Sequence, residues 1–212
     1  MKDVLCNYKA LHLRALIANP RFGDHPGSYR TLLPLLLTRP TTRVITFAMN
    51  NTDLVVTPTH LRFVNRRFPR TIGRGGITDA KAEGDGATPR GVHHIVGMLY
   101  RPDRLARPSD WAEPIRPGDL WSDDNRDADY NRLVRVPHGF SHENLRRADP
   151  MYDLILITDW NWPDATPGRG SAIFMHQWRG PGRPTAGCVG LSRAHLHWIA
   201  PRIRFNTRLV IV

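Results

Sequence analysis

The stretch SAIFMHQWRGPGRPTAGCVGL, residues 171–191, decides how this chain is interpreted. It begins with an apolar run that ends at His176, continues through a loop rich in glycine and proline, and reaches Cys188 beside a second apolar segment. Glycine and proline interrupt regular structure, so the loop predicts a turn from the end of one strand to the start of the next. The separation of twelve positions between His176 and Cys188 is enough for that turn.

His176 and Cys188 form the candidate catalytic pair. A thiol attacks as the thiolate, and its ordinary pKa of about 8.5 leaves it mostly protonated at neutral pH unless an imidazole or another positive group lies beside it. The sequence therefore predicts that His176 takes the proton of Cys188, and that backbone N–H groups of Gly187 and Cys188 stabilise the oxyanion. The alternative, from the residues alone, is that Cys188 is a small buried hydrophobic side chain.

Two blocks of sequence together resemble the L,D-transpeptidase catalytic domain, a bacterial peptidoglycan-modifying family. One block is residues 168–189, and the other is the glycine-rich segment 73–92 with its Thr-Pro-Arg-Gly ending. They stand in the family's order, and the resemblance extends over residues 53–212. It implies a two-sheet β-sandwich and an enzyme that cleaves stem peptides through a Cys188 thioester, with His176 as general base and then general acid.

Two positions depart from the family pattern. Ala186 stands where most members carry a histidine, and Gly190 and Leu191 stand where an arginine or asparagine commonly helps to hold the substrate. The nucleophile and the base match, whereas the substrate-holding groups do not. We therefore expect hydrolysis of ordinary tetrapeptide stems at least as readily as cross-linking, or a preference for a non-standard substrate. The residues expected to contact the substrate are Thr185, Tyr130, Asn131 and His142.

The composition fits one well-buried domain, because 212 residues are too few for two large ones. A formal net charge of +11, carried mostly by arginine, favours an anionic partner such as nucleic acid, phospholipid or a cell-wall polymer. The alternative is a basic solvated surface, and no run of basic residues has the length that nucleic-acid-binding arms use. We expect peptidoglycan stem peptides and no nucleic acid as partners, and the oligomeric state stays open.

The first 48 residues differ in character from the rest of the chain. They contain four prolines and a net charge of +5, which predicts a basic N-terminal extension, either disordered or an over-long reading of the gene with Met49 as the initiator. Residues 49–212 are the expected catalytic domain. No apolar run of about 18 residues is present, which argues against a transmembrane helix. No signal peptide is readable either, so a cell-envelope or periplasmic location follows from the resemblance alone.

The pattern after residue 52 is that of short strands in a β-dominated α+β domain. A short helix near the C-terminus, capped by Ser192 and stopped at Pro201, and a final strand complete the expected fold. Residues 102–131 are expected to form a long inserted loop rich in proline and aspartate. The expected strands are residues 53–57, 61–64, 67–72, 92–100, 133–136, 152–158 and 208–212.

Two other functions fit parts of the sequence. The i, i+4 spacing of His138 and His142, with Glu143 beside them, is that of a helical zinc site and would suit a metal-dependent wall hydrolase. Pro137 and Gly139 oppose a helix there, so we expect neither a metal nor another cofactor. The third interpretation is a non-catalytic basic module that binds an anionic polymer, which would tolerate the loss of Cys188.

Overall fold

The computed structural model describes residues 50–212, so the predicted extension 1–48 lies outside the described residues. This part of the chain is strand-dominated, with one α-helix, α1 (Arg193–Ile199), and two short 3-10 helices, Pro150–Tyr152 and Ala200–Arg202. Its strands are β1 (Leu54–Val56), β2 (Leu61–Phe63), β3 (Arg66–Phe68), β4 (Arg70–Thr71), β5 (Ile77–Thr78), β6 (Thr88–Pro89), β7 (Gly91–Tyr100), β8 (Glu113–Pro114), β9 (Asp119–Ser122), β10 (Leu133–Arg135), β11 (His142–Asn144), β12 (Leu154–Thr158), β13 (Phe174–Gln177), β14 (Val189–Leu191) and β15 (Arg208–Ile211).

The main sheet has the strand order β3-β2-β1-β15-β7-β12-β13-β14-β4, with β8 beside β7. The long strand β7 connects the β3-β2-β1-β15 part of this sheet with the β12-β13-β14-β4 part. Its first residues pair with β15 and its last residues pair with β12. Strands β3 and β4 are the opposite edges of this sheet, yet only Pro69 separates them in the sequence. Since neighbouring Cα atoms are about 3.8 Å apart, the two edges lie close together and the sheet folds back on itself. This agrees with the predicted β-sandwich.

Pro69 also corrects one predicted strand. Residues 67–72 were expected to form a single strand, but the chain breaks at Pro69 into β3 and β4. Proline has no N–H to donate to a strand ladder and is confined to sheet edges and bends. The break therefore carries the chain from one edge of the sheet to the other.

Strand β12 is buried on both faces, as its apolar sequence predicts. Leu154 and Leu156 belong to one hydrophobic cluster, together with side chains of β1, β2, β14, β15 and α1. Ile155 and Ile157 belong to a second cluster on the opposite face, which includes Cys188. Strand β12 therefore lies between two separate cores and contributes side chains to both. Burying each of these side chains contributes about 1.5–3 kcal/mol to stability.

The inserted segment 102–131 is mostly turns and irregular chain, as predicted, but two short strands tie it into the domain. It contains β8 and β9, and β9 is the central strand of a three-stranded antiparallel sheet with β10 and β11. Trp121 on β9 is 1% exposed, and its ring meets that of Phe174 edge-on at 5.0 Å. This small sheet therefore packs on the second core, beside Cys188.

The predicted C-terminal helix is confirmed. Ser192 Oγ accepts a hydrogen bond from His195 N at 3.2 Å, and α1 ends at Ile199 before the turn that contains Pro201. Strand β15 then runs parallel to β1 and antiparallel to β7. No helix within residues 50–212 has the length and apolar character that a membrane span requires.

Candidate active site

Strands β13 and β14 position the predicted pair. They are parallel neighbours, with Met175 opposite Val189 and His176 opposite Gly190. The glycine- and proline-rich loop therefore returns the chain to the start of the sheet, and Cys188 stands immediately before β14. Because side chains alternate along a strand, Phe174 and His176 share one face. That face is the one covered by the second core, to which Cys188 belongs.

Cys188 is a buried, protonated thiol in this structure. Its Sγ donates to the carbonyl oxygen of Ala172 at 3.0 Å and accepts from Phe174 N at 3.3 Å. Burial, and after it the charge of Glu143, raise the pKa of the Cys188 thiol to about 12, against the opposite effects of the Phe174 N–H and the charge of Lys81. The thiol is therefore not activated in the resting protein.

His176 is held as a neutral imidazole with a defined tautomer. Its Nδ1 lies 2.8 Å from the carbonyl oxygen of Gln177, which can only accept, so Nδ1 carries the proton and Nε2 has the free lone pair. Burial lowers the pKa of His176 to about 4. The ring of Tyr152 meets the imidazole edge-on at 5.2 Å. No hydrogen bond joins His176 to Cys188 among the contacts of the described residues, although both side chains line one cavity.

That cavity has a volume of about 490 Å³ and brings together residues that are far apart in the sequence. It contains the predicted His176, Cys188, Thr185 and His142, and it adds side chains from the loop, from β11 and from the segment before β12. The lining residues are Arg74, His142, Glu143, Asn144, Arg147, Met151, Tyr152, His176, Trp178, Arg179, Arg183, Pro184, Thr185, Ala186 and Cys188.

Thr185 and Gly187 shape the turn that carries the thiol. Thr185 Oγ1 donates to the carbonyl oxygen of Cys188 at 2.6 Å and accepts from Gly187 N at 3.2 Å. Gly187 has a φ of 144°, and a Cβ atom there would lie 3.0 Å from the carbonyl oxygen of Ala87. Thr88 Oγ1 donates to the carbonyl oxygen of Gly187 at 2.8 Å. The glycine-rich block and the cysteine block of the sequence are thus joined at this turn, and glycine is required at position 187.

Tyr130 and Asn131 do not line this cavity. Tyr130 is 2% exposed and its hydroxyl donates to the carboxylate of Glu83. Asn131 is equally buried, and its Oδ1 accepts from Ala172 N at 2.9 Å and from Trp121 Nε1 at 3.0 Å. Since the carbonyl of Ala172 is the acceptor for Cys188, Asn131 positions the backbone beside the thiol.

Glu143 and Tyr152 form a second polar pair beside the thiol. The hydroxyl of Tyr152 donates to the carboxyl group of Glu143, and both side chains line the cavity. Burial raises the pKa of Glu143 above its ordinary value. The sequence names Glu143 only as part of a possible metal site and does not single out Tyr152 at all. Nothing in the local sequence indicates a functional role for Tyr152, because its hydrogen-bond partner Glu143 lies on β11 of the small sheet.

The three residues of the possible metal site do not form a set of ligands. His142 lies on strand β11 and not on a helix, and its Nδ1 is 2.6 Å from the carbonyl oxygen of Phe140. His138 Nε2 is 3.0 Å from the carboxylate of Asp127, and Glu143 is bonded to Tyr152. Within residues 50–212, no group of three or more His, Cys, Asp or Glu side chains is placed to hold a metal ion. The geometry gives a metal-dependent hydrolase no site here.

The departure at Gly190 has a structural cause. Gly190 pairs with Thr71 of β4, and a Cβ atom at position 190 would lie 2.4 Å from Thr71 Oγ1 and 3.1 Å from Trp178 Cβ. A larger residue therefore cannot stand there unless the Thr71 side chain moves. Groups that hold a substrate must come from elsewhere in the cavity.

One family model and one solved structure show what this chain is similar to. The family model YkuD, described as the L,D-transpeptidase catalytic domain, matches residues 42–212. A comparison with curated proteins gave no match. Among solved structures, the chain is similar to an L,D-transpeptidase (residues 123–326) from Xylanimonas cellulosilytica DSM 15894, with 16% identity and a TM-score of 0.39. That similarity covers 82% of this chain and 65% of the other. From the family match, which includes both sequence blocks and every residue of the cavity, the chain belongs to the L,D-transpeptidase catalytic domain family.

Proposed function

We propose that this protein is a cysteine-dependent L,D-transpeptidase or L,D-carboxypeptidase that acts on peptidoglycan stem peptides, in the cell envelope or periplasm. The observation that supports this most is the placement of Cys188 and His176 in one cavity, with the proton of the imidazole on Nδ1. A general base needs its free lone pair toward the proton it removes, and the bond from Nδ1 to Gln177 fixes that state.

The reaction begins from two neutral groups. Nε2 of His176 takes the proton of Cys188 while Sγ attacks the carbonyl carbon of the stem peptide, so a C–S bond forms as the S–H bond breaks. The tetrahedral intermediate collapses, the C–N bond breaks, and the leaving D-amino acid departs with the proton from His176. An amine or a water molecule then attacks the thioester, and Cys188 recovers its proton. Attack by an amine gives a cross-link, and attack by water gives a trimmed stem.

The substrate has to trigger the first proton transfer. In the resting state, burial favours the neutral form of both groups, and Sγ donates to Ala172. When the carbonyl carbon of a bound substrate accepts electron density from Sγ, the acidity of the S–H group increases. This happens only while the C–S bond is forming. Proton transfer and attack are therefore concerted, and the free enzyme is protected from unproductive reactions of its thiolate.

The oxyanion is assigned to backbone N–H groups at the turn before β14. Gly187 and Cys188 supply these donors, and losing a single donor of this kind costs about 3–4 kcal/mol of transition-state stabilisation in other enzymes. In the resting state, Gly187 N–H donates to Thr185 Oγ1, so the oxyanion replaces this hydroxyl when it develops. Thr185 thereby holds the turn in its reactive shape until the substrate binds.

The test is the incubation of purified protein with tetrapeptide-bearing wall fragments, followed by mass spectrometry of the products. We expect loss of the terminal D-amino acid in the parent protein and none in Cys188→Ala, with the same fold by circular dichroism. Trimmed monomer should equal or exceed cross-linked dimer, because positioning an amine is more demanding than admitting water. Turnover by Cys188→Ala would refute the covalent mechanism. Inhibition by a chelator would favour a metal enzyme, and no product in any variant would favour a binding module.

A further inference from the structure

Four arginines line the cavity, which is more positive charge than the proposed proton transfers use. Arg147 is already paired, because its Nε and a terminal nitrogen donate to the two carboxylate oxygens of Asp149 at 2.9 and 2.6 Å. Arg179 makes no hydrogen bond or ion pair with a described residue, but its charge contributes to the lowered pKa of the Asp149 carboxylate, so it has a counter-charge nearby. The remaining two, Arg74 and Arg183, have guanidinium groups without a hydrogen bond or ion pair to any described residue.

Arg74 is nevertheless held in place by its surroundings. Its backbone N–H donates to the carbonyl oxygen of Thr185 at 2.9 Å, and its side chain crosses Gly86 so closely that a Cβ atom there would lie 2.8 Å from Cγ and 2.9 Å from Nε. Arg183 stands two residues before Thr185, in the loop that leads to Cys188. Both uncompensated cations therefore flank the turn that carries the thiol, on the wall of the same cavity.

The chemistry of arginine narrows the class of ligand. Its planar guanidinium matches the two oxygens of a carboxylate and binds them through parallel N–H donors. If Sγ attacks the carbonyl that precedes the terminal D-amino acid, as the proposed function requires, the free carboxylate of that residue follows one residue later. One residue of extended chain spans about 3.3–3.6 Å, so this carboxylate lies within the cavity.

We propose that Arg74 and Arg183 form a carboxylate-binding site that holds the terminal carboxylate of the donor stem peptide. This proposal rests on the proposed function, and it provides a substrate-holding group for a chain in which Thr71 excludes a side chain at position 190. The site selects donors that end one residue after the scissile bond with a free carboxylate. It also aligns that bond, because the carboxylate and the reacting carbonyl are fixed at two points.

The experiment compares a tetrapeptide that ends in a free carboxylate with the same peptide ending in an amide. We expect the parent protein to process the amide about 10- to 100-fold less efficiently in kcat/KM, as the loss of a charge-assisted bidentate contact predicts. The double variant Arg74→Gln, Arg183→Gln should lose the same factor on the acid and almost nothing more on the amide. Arg204→Gln, at an exposed position outside the cavity lining, is the matched control.

Two further measurements separate this proposal from the proposed function. Labelling of Cys188 by a neutral alkylating reagent should be unchanged in the double variant, which shows an intact nucleophile. Binding of the acid and amide peptides to Cys188→Ala, measured by calorimetry, tests the site even if the parent protein shows no turnover. Equal binding of acid and amide, or equal losses on both in the double variant, would overturn the proposal. Competition by inorganic phosphate without acid–amide discrimination would overturn it as well.

Discussion

Single residues in the cavity have properties that their sequence neighbours do not reveal. The spacing of His176 and Cys188 predicts an imidazole that lowers the pKa of the thiol. The structure shows a neutral pair in which burial raises the pKa of Cys188 to about 12 and lowers that of His176 to about 4. The identity of both residues could be predicted, because His176 closes one apolar segment and Cys188 precedes the next, on either side of the loop rich in glycine and proline. Their protonation states could not, because they depend on burial by a sheet formed elsewhere in the chain.

Alkylation of Cys188 in the free protein should require alkaline pH. In a Cys6→Ser background, a small neutral reagent should label Cys188 with a midpoint above the ordinary thiol value of about 8.5, because the thiolate is a minor species. Glu143→Gln should move the midpoint downward, since the ionised carboxylate raises the pKa of the thiol. Labelling rates measured by mass spectrometry across pH 7–11 decide this.

One result of the labelling experiment would contradict a neutral Cys188 thiol. A labelling midpoint below about 8.5 in the parent protein would show an activated resting thiolate, as the sequence alone predicts. Asn144→Asp is the control for charge at the mouth of the cavity, because Asn144 is exposed and neighbours Glu143 on β11. If this variant and Glu143→Gln shifted the midpoint equally far, nonspecific charge would explain the effect of position 143.

Among the strands and helices, the apolar segments could be predicted from the sequence, but the segments against which they pack could not. The sequence predicts β7, β12, α1 and β15 well, because each has an uninterrupted apolar pattern or a capping residue. It predicts β10 as residues 133–136, but it predicts neither β9 nor β11, which have only three or four residues among prolines and aspartates, nor the small sheet that the three strands form. What stabilises those strands is the burial of Trp121 against Phe174, a contact between distant segments. Tyr130 and Asn131, expected at the substrate, are buried and do not line the cavity.

The edge strand β4 sets the size limit at position 190. Gly190→Ala should destabilise the domain by about 1–3 kcal/mol, the usual cost of overpacking, because its Cβ would lie 2.4 Å from Thr71 Oγ1. Thr71→Ala alone should cost little, since Thr71 Oγ1 is buried without a hydrogen-bond partner. Urea unfolding of both single variants and the double variant measures their coupling. We expect the double variant to be more stable than Gly190→Ala, and simple additivity would contradict the steric explanation.

For the whole molecule, stability should decline as the pH falls below 6.5. Burial lowers the pKa values of His93, His176 and His197, so below the ordinary value the unfolded chain binds more protons than the folded one. Stability is then full above pH 6.5 and is lost progressively toward pH 4. His176→Gln removes one such group, and its melting temperature should fall less steeply between pH 7 and 4.5. His142→Gln, at an exposed position, is the control, and identical slopes in all three proteins would contradict this account.

The parallel pairing of β1 with β15 has a mechanical consequence. Leu54 lies opposite Leu209 and Val56 opposite Ile211, so a force applied at Asn50 and Val212 pulls the two strands in opposite directions along their length. All the hydrogen bonds between them then bear the load together. A force applied at Pro58 and Val212, which lie at the same end of this pair, opens the bonds one after another. In single-molecule pulling, the first geometry should resist markedly higher force than the second, although the same bonds break in both.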